Sequence, residues 1–139
     1  MEQQEIDGAA HILREFVLAM VRTSPQSALS RTAAGTLSVL DRLGPQPITT
    51  LADIEAITQP AMTGLVQRLE STGFITRQPD PLDGRAALIA ITDDGHTTLT
   101  ERRRKHEDAI ASRVAQLGPE QLSVLLAALP VITTLTEIC

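Results

Sequence analysis

At 139 residues the chain has the length of one domain, and its 42% apolar content is enough for a packed core. With no Trp, no Tyr and only Phe16 and Phe74, that core must come from Leu, Ile, Val, Ala and Met, a palette that suits helices more than a large sheet. A net charge of −5 excludes an indiscriminate polyanion binder, and a lone cysteine, Cys139, excludes an internal disulfide.

The sequence begins Met-Glu-Gln-Gln-Glu, acidic where a secretory signal is basic. The longest unbroken apolar run, 124–132, is too short for a bilayer and contains Pro130. The expectation is a cytoplasmic protein without a membrane partner.

In chain order, residues 5–23 carry Ile6, Ala10, Leu13, Val17 and Met20 at helical spacing, and Ser24-Pro25 ends that helix. Ser30 suits the N-cap of a second helix reaching Leu43, with Leu37, Leu40 and Leu43 on one face and Gly44-Pro45 as the stop. Pro47 and Ile48 fit a short extended piece. Thr50, with Asp53 three residues on, reads as the capped start of a short helix to about Ala56. Thr58 caps the next, Pro60 sits in its first turn, and Met62, Leu65, Val66 and Leu69 form its apolar stripe before Gly73. Segments 74–78 and 87–91 are the convincing strands, joined through the turn signal Asp83-Gly84. Thr92 caps a long helix with Asp93 and Asp94 at its positive end and Leu99, Ile110, Val114 and Leu117 on its buried side. Gly118-Pro119-Glu120 opens the last helix, striped with Leu122, Leu125, Leu126, Leu129 and Ile132, where Pro130 should produce a kink.

Two short helices followed by a hairpin can press one helix into a major groove and a loop tip against the neighbouring backbone or minor groove. On the second helix, Gln59, Pro60, Thr63 and Gly64 lie opposite the apolar stripe. Gln pairs two-point with adenine, Thr bonds a base or touches a thymine methyl, and Gly permits close approach. The bland alternative for Gly64 is close packing of a neighbouring helix. Arg68 meets either a phosphate or Glu70. At the hairpin, Asp83 and Arg85 flank Gly84, so the carboxylate can hold the guanidinium extended; an arginine there suits the narrow, electronegative minor groove of A·T-rich DNA, against the plainer reading of a surface ion pair. Arg77, on the first strand, completes the basic set. Residues 49–95 nevertheless carry three arginines against seven carboxylates, a balance of −4 that predicts weak binding to random DNA.

The ordered blocks Leu51-Ala52, 58–70, Gly73-Phe74-Ile75, 80–85 and Ile91-Thr92-Asp93-Asp94-Gly95 closely resemble the MarR family of bacterial winged-helix regulators. The resemblance covers about residues 48–95 and ends in a wing D-x-R and an L-T-x-x-G-like turn. It implies a mainly α fold: a single MarR-like domain over 1–139, its winged helix-turn-helix core flanked by dimerisation helices at about 5–23 and 96–137. It also implies a homodimer on a pseudo-palindromic double-stranded DNA operator, with repression relieved by a small-molecule effector. Thr58, Gln59, Pro60 and Thr63 fall on the family's recognition helix, and Asp83 and Arg85 on its wing motif. Two positions depart from the pattern: Gly64 stands where many members carry a larger polar or basic residue, and Glu55 replaces a commonly apolar one, with Ile54 and Ile57 available to supply the packing.

Residues 5–23, 96–116 and 119–137 carry more apolar surface than so small a winged helix can cover. A joint core between two subunits would set the recognition helices about 34 Å apart, one duplex turn. The basic run Arg102–Lys105 reads as a solvated face, His11, His96 and His106 lack metal spacing, and no cofactor is implied. Catalytic signatures such as G-x-S-x-G and H-E-x-x-H are absent, so an enzyme is not expected. The competing reading is a winged-helix ligand-binding or protein-interaction module that leaves DNA alone.

Overall fold

The computed structural model describes residues 2–139. Six helices and one hairpin follow in the order α1 (Glu2–Arg22), α2 (Arg31–Leu43), α3 (Ile48–Glu55), α4 (Gln59–Ser71), β1 (Ile75–Pro79), β2 (Ala87–Ile91), α5 (Asp93–Val114) and α6 (Pro119–Glu137). The chain divides into two compact units, Met1–Pro25 with His106–Cys139, and Gln26–Lys105, the boundary falling within α5.

In the Gln26–Lys105 unit, capping chemistry sets most helix ends. The Ser30 hydroxyl accepts the Ala33 N–H (3.1 Å) and that of Thr58 accepts the Ala61 N–H (3.3 Å), so α2 and α4 begin where the sequence predicts. Helix α3 begins two residues before Thr50. Pro47, at φ −65°, is its N-cap, and the Leu51 N–H reaches the Pro47 carbonyl at 3.2 Å. The extended piece ends at Gln46, whose backbone exchanges two hydrogen bonds with Ile89 (2.9 and 2.7 Å) and so adds a bridge beside β2. The bend between α3 and α4 turns on Ala56 in the left-handed region (φ 54°), a conformation that costs a non-glycine residue roughly 1 kcal/mol. Its amide and that of Ile57 bond back to Asp53 and Ala52.

Strands β1 and β2 pair antiparallel with Ile75 opposite Ile91 and Pro79 opposite Ala87; β1 starts one residue later than its sequence pattern suggests. Leu37, Leu40, Leu51, Met62, Val66, Ile89 and Leu99 are fully buried in one cluster that joins α2, α3, α4, the hairpin and the start of α5. The recognition-helix stripe predicted from sequence is entirely inside it, whereas Leu43 is exposed. Arg103 donates to Asp41 (3.4 Å) and Ser38 (3.1 Å), and His96 Nδ1 lies 2.9 Å from the same carboxylate, docking α5 on α2.

The other unit is built differently. No side chain of α1 or α6 is buried; Phe16, Val17, Leu129 and Ile132 are among many that stand exposed. Of the expected buried positions on α5, Leu99 alone is inside, while Ile110 and Leu117 are exposed and Val114 is half-buried. Helix α1 starts at Glu2, three residues earlier than its apolar pattern, and α6 runs on through Pro130. Arg113 ties α5 to the end of α1 through the Thr23 hydroxyl (2.7 Å).

Glu55, the carboxylate at a commonly apolar position, is half-buried against α2, where a methyl group at Gly35 would stand 2.7 Å from its Oε1. Ile57 packs on the core; Ile54 is exposed. Burial raises the Glu55 pKa above its ordinary 4.5. The folded chain therefore holds this proton more tightly than the unfolded chain. The stabilising contribution is full at acid pH and is lost as pH rises through the raised value. Glu55→Gln is expected to unfold at higher urea than the wild type near neutrality, with the gap closing as pH falls toward 4.5; urea titrations over that range check it.

Candidate nucleic-acid interface

Helix α4 buries Met62, Leu65, Val66 and Leu69 and turns Gln59, Pro60, Gln67 and Arg68 outward, with Thr63 and Gly64 half-exposed between them. Thr58 is committed to its capping role. The Thr63 hydroxyl donates to the Gln59 carbonyl at 2.9 Å, which leaves its lone pairs and methyl group for a partner. At Gly64 an added Cβ would meet only the Arg68 guanidinium, at 3.5 Å. Packing by a neighbouring helix does not explain this glycine; it leaves a notch in the exposed face. Arg68 forms no ion pair among the described residues, because Glu70 is held by Arg77 of β1 (Nε–Oε2 3.2 Å). Arg77 thereby braces the wing against α4.

The wing tip is closed by its own carboxylates. Asp80 Oδ1 accepts the Leu82 N–H (2.9 Å) and Asp83 Oδ1 accepts the Arg85 N–H (3.1 Å). Asp83 thus shapes the turn through the Arg85 backbone, and its carboxylate does not grip the guanidinium as the sequence reading supposed. Residues 81–85 are all exposed. Arg85, like Arg68, has no acidic partner among the described residues.

Comparison with known proteins bears on this arrangement. The MarR family model matches residues 29–87, from the start of α2 to the start of β2. An HTH-type transcriptional regulator of Mycobacterium tuberculosis is 27% identical, with 95% of this chain and 97% of that protein covered. A transcriptional regulator from Thermotoga maritima superimposes with a TM-score of 0.78 at 27% identity, over 94% of this chain and 95% of its own. Residues 29–87 are thus a MarR-family segment. A MepR mutant of S. aureus bound to an oligodeoxyribonucleotide shares the fold at 20% identity, with a TM-score of 0.72 over 94% of this chain and 98% of its own.

Within this MarR-like chain the charge is unevenly placed. Gln26–Lys105 holds nine arginines and lysines and nine aspartates and glutamates, so the net −5 resides in the other unit, where three arginines meet eight carboxylates. Of the seven acids in 49–95, Glu70 pairs with Arg77, Asp80 and Asp83 face wing amides, and Glu55 lies against Gly35. Asp93 and Asp94 occupy the first turn of α5. Asp53 remains on α3 as the exposed acid without such a role.

Sequence reasoning missed the double duty of Thr92, which donates to the Gly73 carbonyl (2.6 Å) while accepting the Gly95 N–H (3.1 Å). It placed Gly95 in the turn motif without its packing reason: an added Cβ there would collide with the Phe74 carbonyl. The two helical glycines should therefore respond oppositely. Gly64→Ala is expected to raise stability by up to about 1 kcal/mol, the helix-propensity gain. Gly95→Ala is expected to lower it, since the obstacle is backbone. Thermal unfolding of both variants checks the pair.

Proposed function

We propose that this protein is a sequence-specific DNA-binding transcriptional regulator, acting in the cytoplasm as a homodimer on a pseudo-palindromic operator. The observation that carries the reading is the exposed face of α4 and the wing: Gln59 and Pro60 lie open with Thr63 and Gly64 half-exposed beside them, and Arg68 and Arg85 lack acidic partners among the described residues. Gln59 is assigned to base edges of the major groove, the Thr63 methyl to thymine, Arg68 to phosphate and Arg85 to the minor groove. Arg77 acts as a brace. Thr58, Asp83 and Gly84 shape the elements that carry these contacts.

Specific binding to a short duplex selected from a random library tests the reading. Gln59→Ala is expected to lose roughly 1–3 kcal/mol of discrimination at one base pair per half-site. Arg85→Ala is expected to weaken binding and flatten the slope of log affinity against log salt. Equal affinity in both variants would remove the assignment. Selective binding insensitive to salt would favour the non-DNA module instead.

Pairing follows from the α1 and α6 surfaces. Helix α6 is 19 residues long and apolar enough by composition to cross a bilayer; within the chain Leu122, Leu125 and Ala128 are half-buried, while Val124, Leu126, Leu129, Val131 and Ile132 stand exposed. Membership of a regulator family favours a second subunit over lipid as its cover. The expected outcome is a dimer of the 14.9 kDa chain in sedimentation, and a monomer once Leu129→Asp and Ile132→Asp are combined. Repression relieved by a small-molecule effector rests on family membership alone.

A further inference from the structure

Among the exposed apolar side chains one is almost wholly in water: Leu82, 96% accessible, at the tip of the wing. It does not sit there through a slack loop. Pro81 fixes the preceding φ, Asp80 Oδ1 takes the Leu82 N–H, and Asp83 Oδ1 takes the Arg85 N–H. Backbone bonds from Asp83 to Asp80 (3.3 Å), from Ala86 to Asp83 (3.1 Å) and from Asp80 to Ala86 (3.2 Å) close the loop. With both carboxylates turned to these amides, the tip offers two large side chains to its surroundings: an isobutyl group and, three residues on, the guanidinium of Arg85.

That pairing has a chemical complement. The minor groove has an electronegative floor and walls of deoxyribose C–H groups, and the walls close in where A·T pairs narrow the groove. A guanidinium suits the floor; a branched aliphatic group suits the walls. Resting on the operator-binding reading above, we propose that Leu82 is a second DNA-contacting residue of the wing, packing on the sugar walls beside Arg85 and favouring A·T pairs through groove width. The contact is apolar and releases no counterions, so it carries a signature distinct from that of Arg85.

Fluorescence anisotropy on the selected operator, with a copy bearing G·C pairs under the wing, separates the possibilities for wild type, Leu82→Ala, Leu82→Met and Arg85→Ala. Leu82→Ala is expected to lose roughly tenfold in operator affinity, as when part of a leucine side chain stays in water. Its salt slope should match the wild type and its preference for the A·T version should shrink. Leu82→Met should restore most of the loss, and the thermal midpoint of the alanine variant should not move. Arg85→Ala should lower affinity and slope together. Operator binding that depends on Arg85 but is the same for Leu82→Ala overturns the Leu82 assignment alone. A wild type that binds no duplex overturns it together with the operator-binding reading.

Discussion

One hydroxyl joins three elements of the Gln26–Lys105 unit at a single point. Thr92 stands between β2 and α5, donates to the carbonyl of Gly73 at the end of the recognition helix, and caps α5 through the Gly95 amide. Its own N–H bonds the Phe74 carbonyl (3.0 Å), and Gly95 has no Cβ because that carbonyl presses against it. The end of α4, the root of the wing and the start of α5 therefore meet at one point. A helix-turn-helix reads a groove only if helix and wing keep a constant offset. Here hydrogen bonds between the Thr92 side chain and the backbone help to set that offset.

The electrostatic objection to DNA binding weakens once six of the seven acids in 49–95 have a place. Of the nine carboxylates in Gln26–Lys105, four are engaged in shaping or bracing: two fold the wing tip, one holds Arg77, one receives His96 and Arg103. In residues 49–95 the exposed arginines are Arg68, Arg77 and Arg85. On the proposed reading, such a surface would give little attraction to arbitrary duplex and would depend on fit, so that discrimination would come partly from weak non-specific affinity.

Much of this was legible in the residues. Periodicity identified the α4 stripe because every member is buried in a single cluster, and Ser30, Thr58 and Thr92 were readable as caps because the bond is local to a few residues. What escaped was tertiary. The α3 start moved to Ile48 because Gln46 pairs with Ile89, a partner 43 residues away. Asp83 and Arg85 were joined in the expectation through side chains, whereas the short Asp side chain reaches the nearer backbone amide. Gly64 could not be decided from sequence, since only coordinates reveal what surrounds a missing Cβ. The α6 stripe was visible, yet within one chain its Leu126, Leu129 and Ile132 stand uncovered.

The bend before the recognition helix is made by Ala56 at positive φ, with no glycine to ease it and with Ile57 wedged into the core behind it. A joint of that kind is set once, at folding, and resists being re-aimed. Divergent descendants of this sequence would therefore acquire new target sites by exchanging the outward groups on a fixed frame. Tilting the frame would cost the core; reprogramming in this lineage is a matter of lettering, with the page held still.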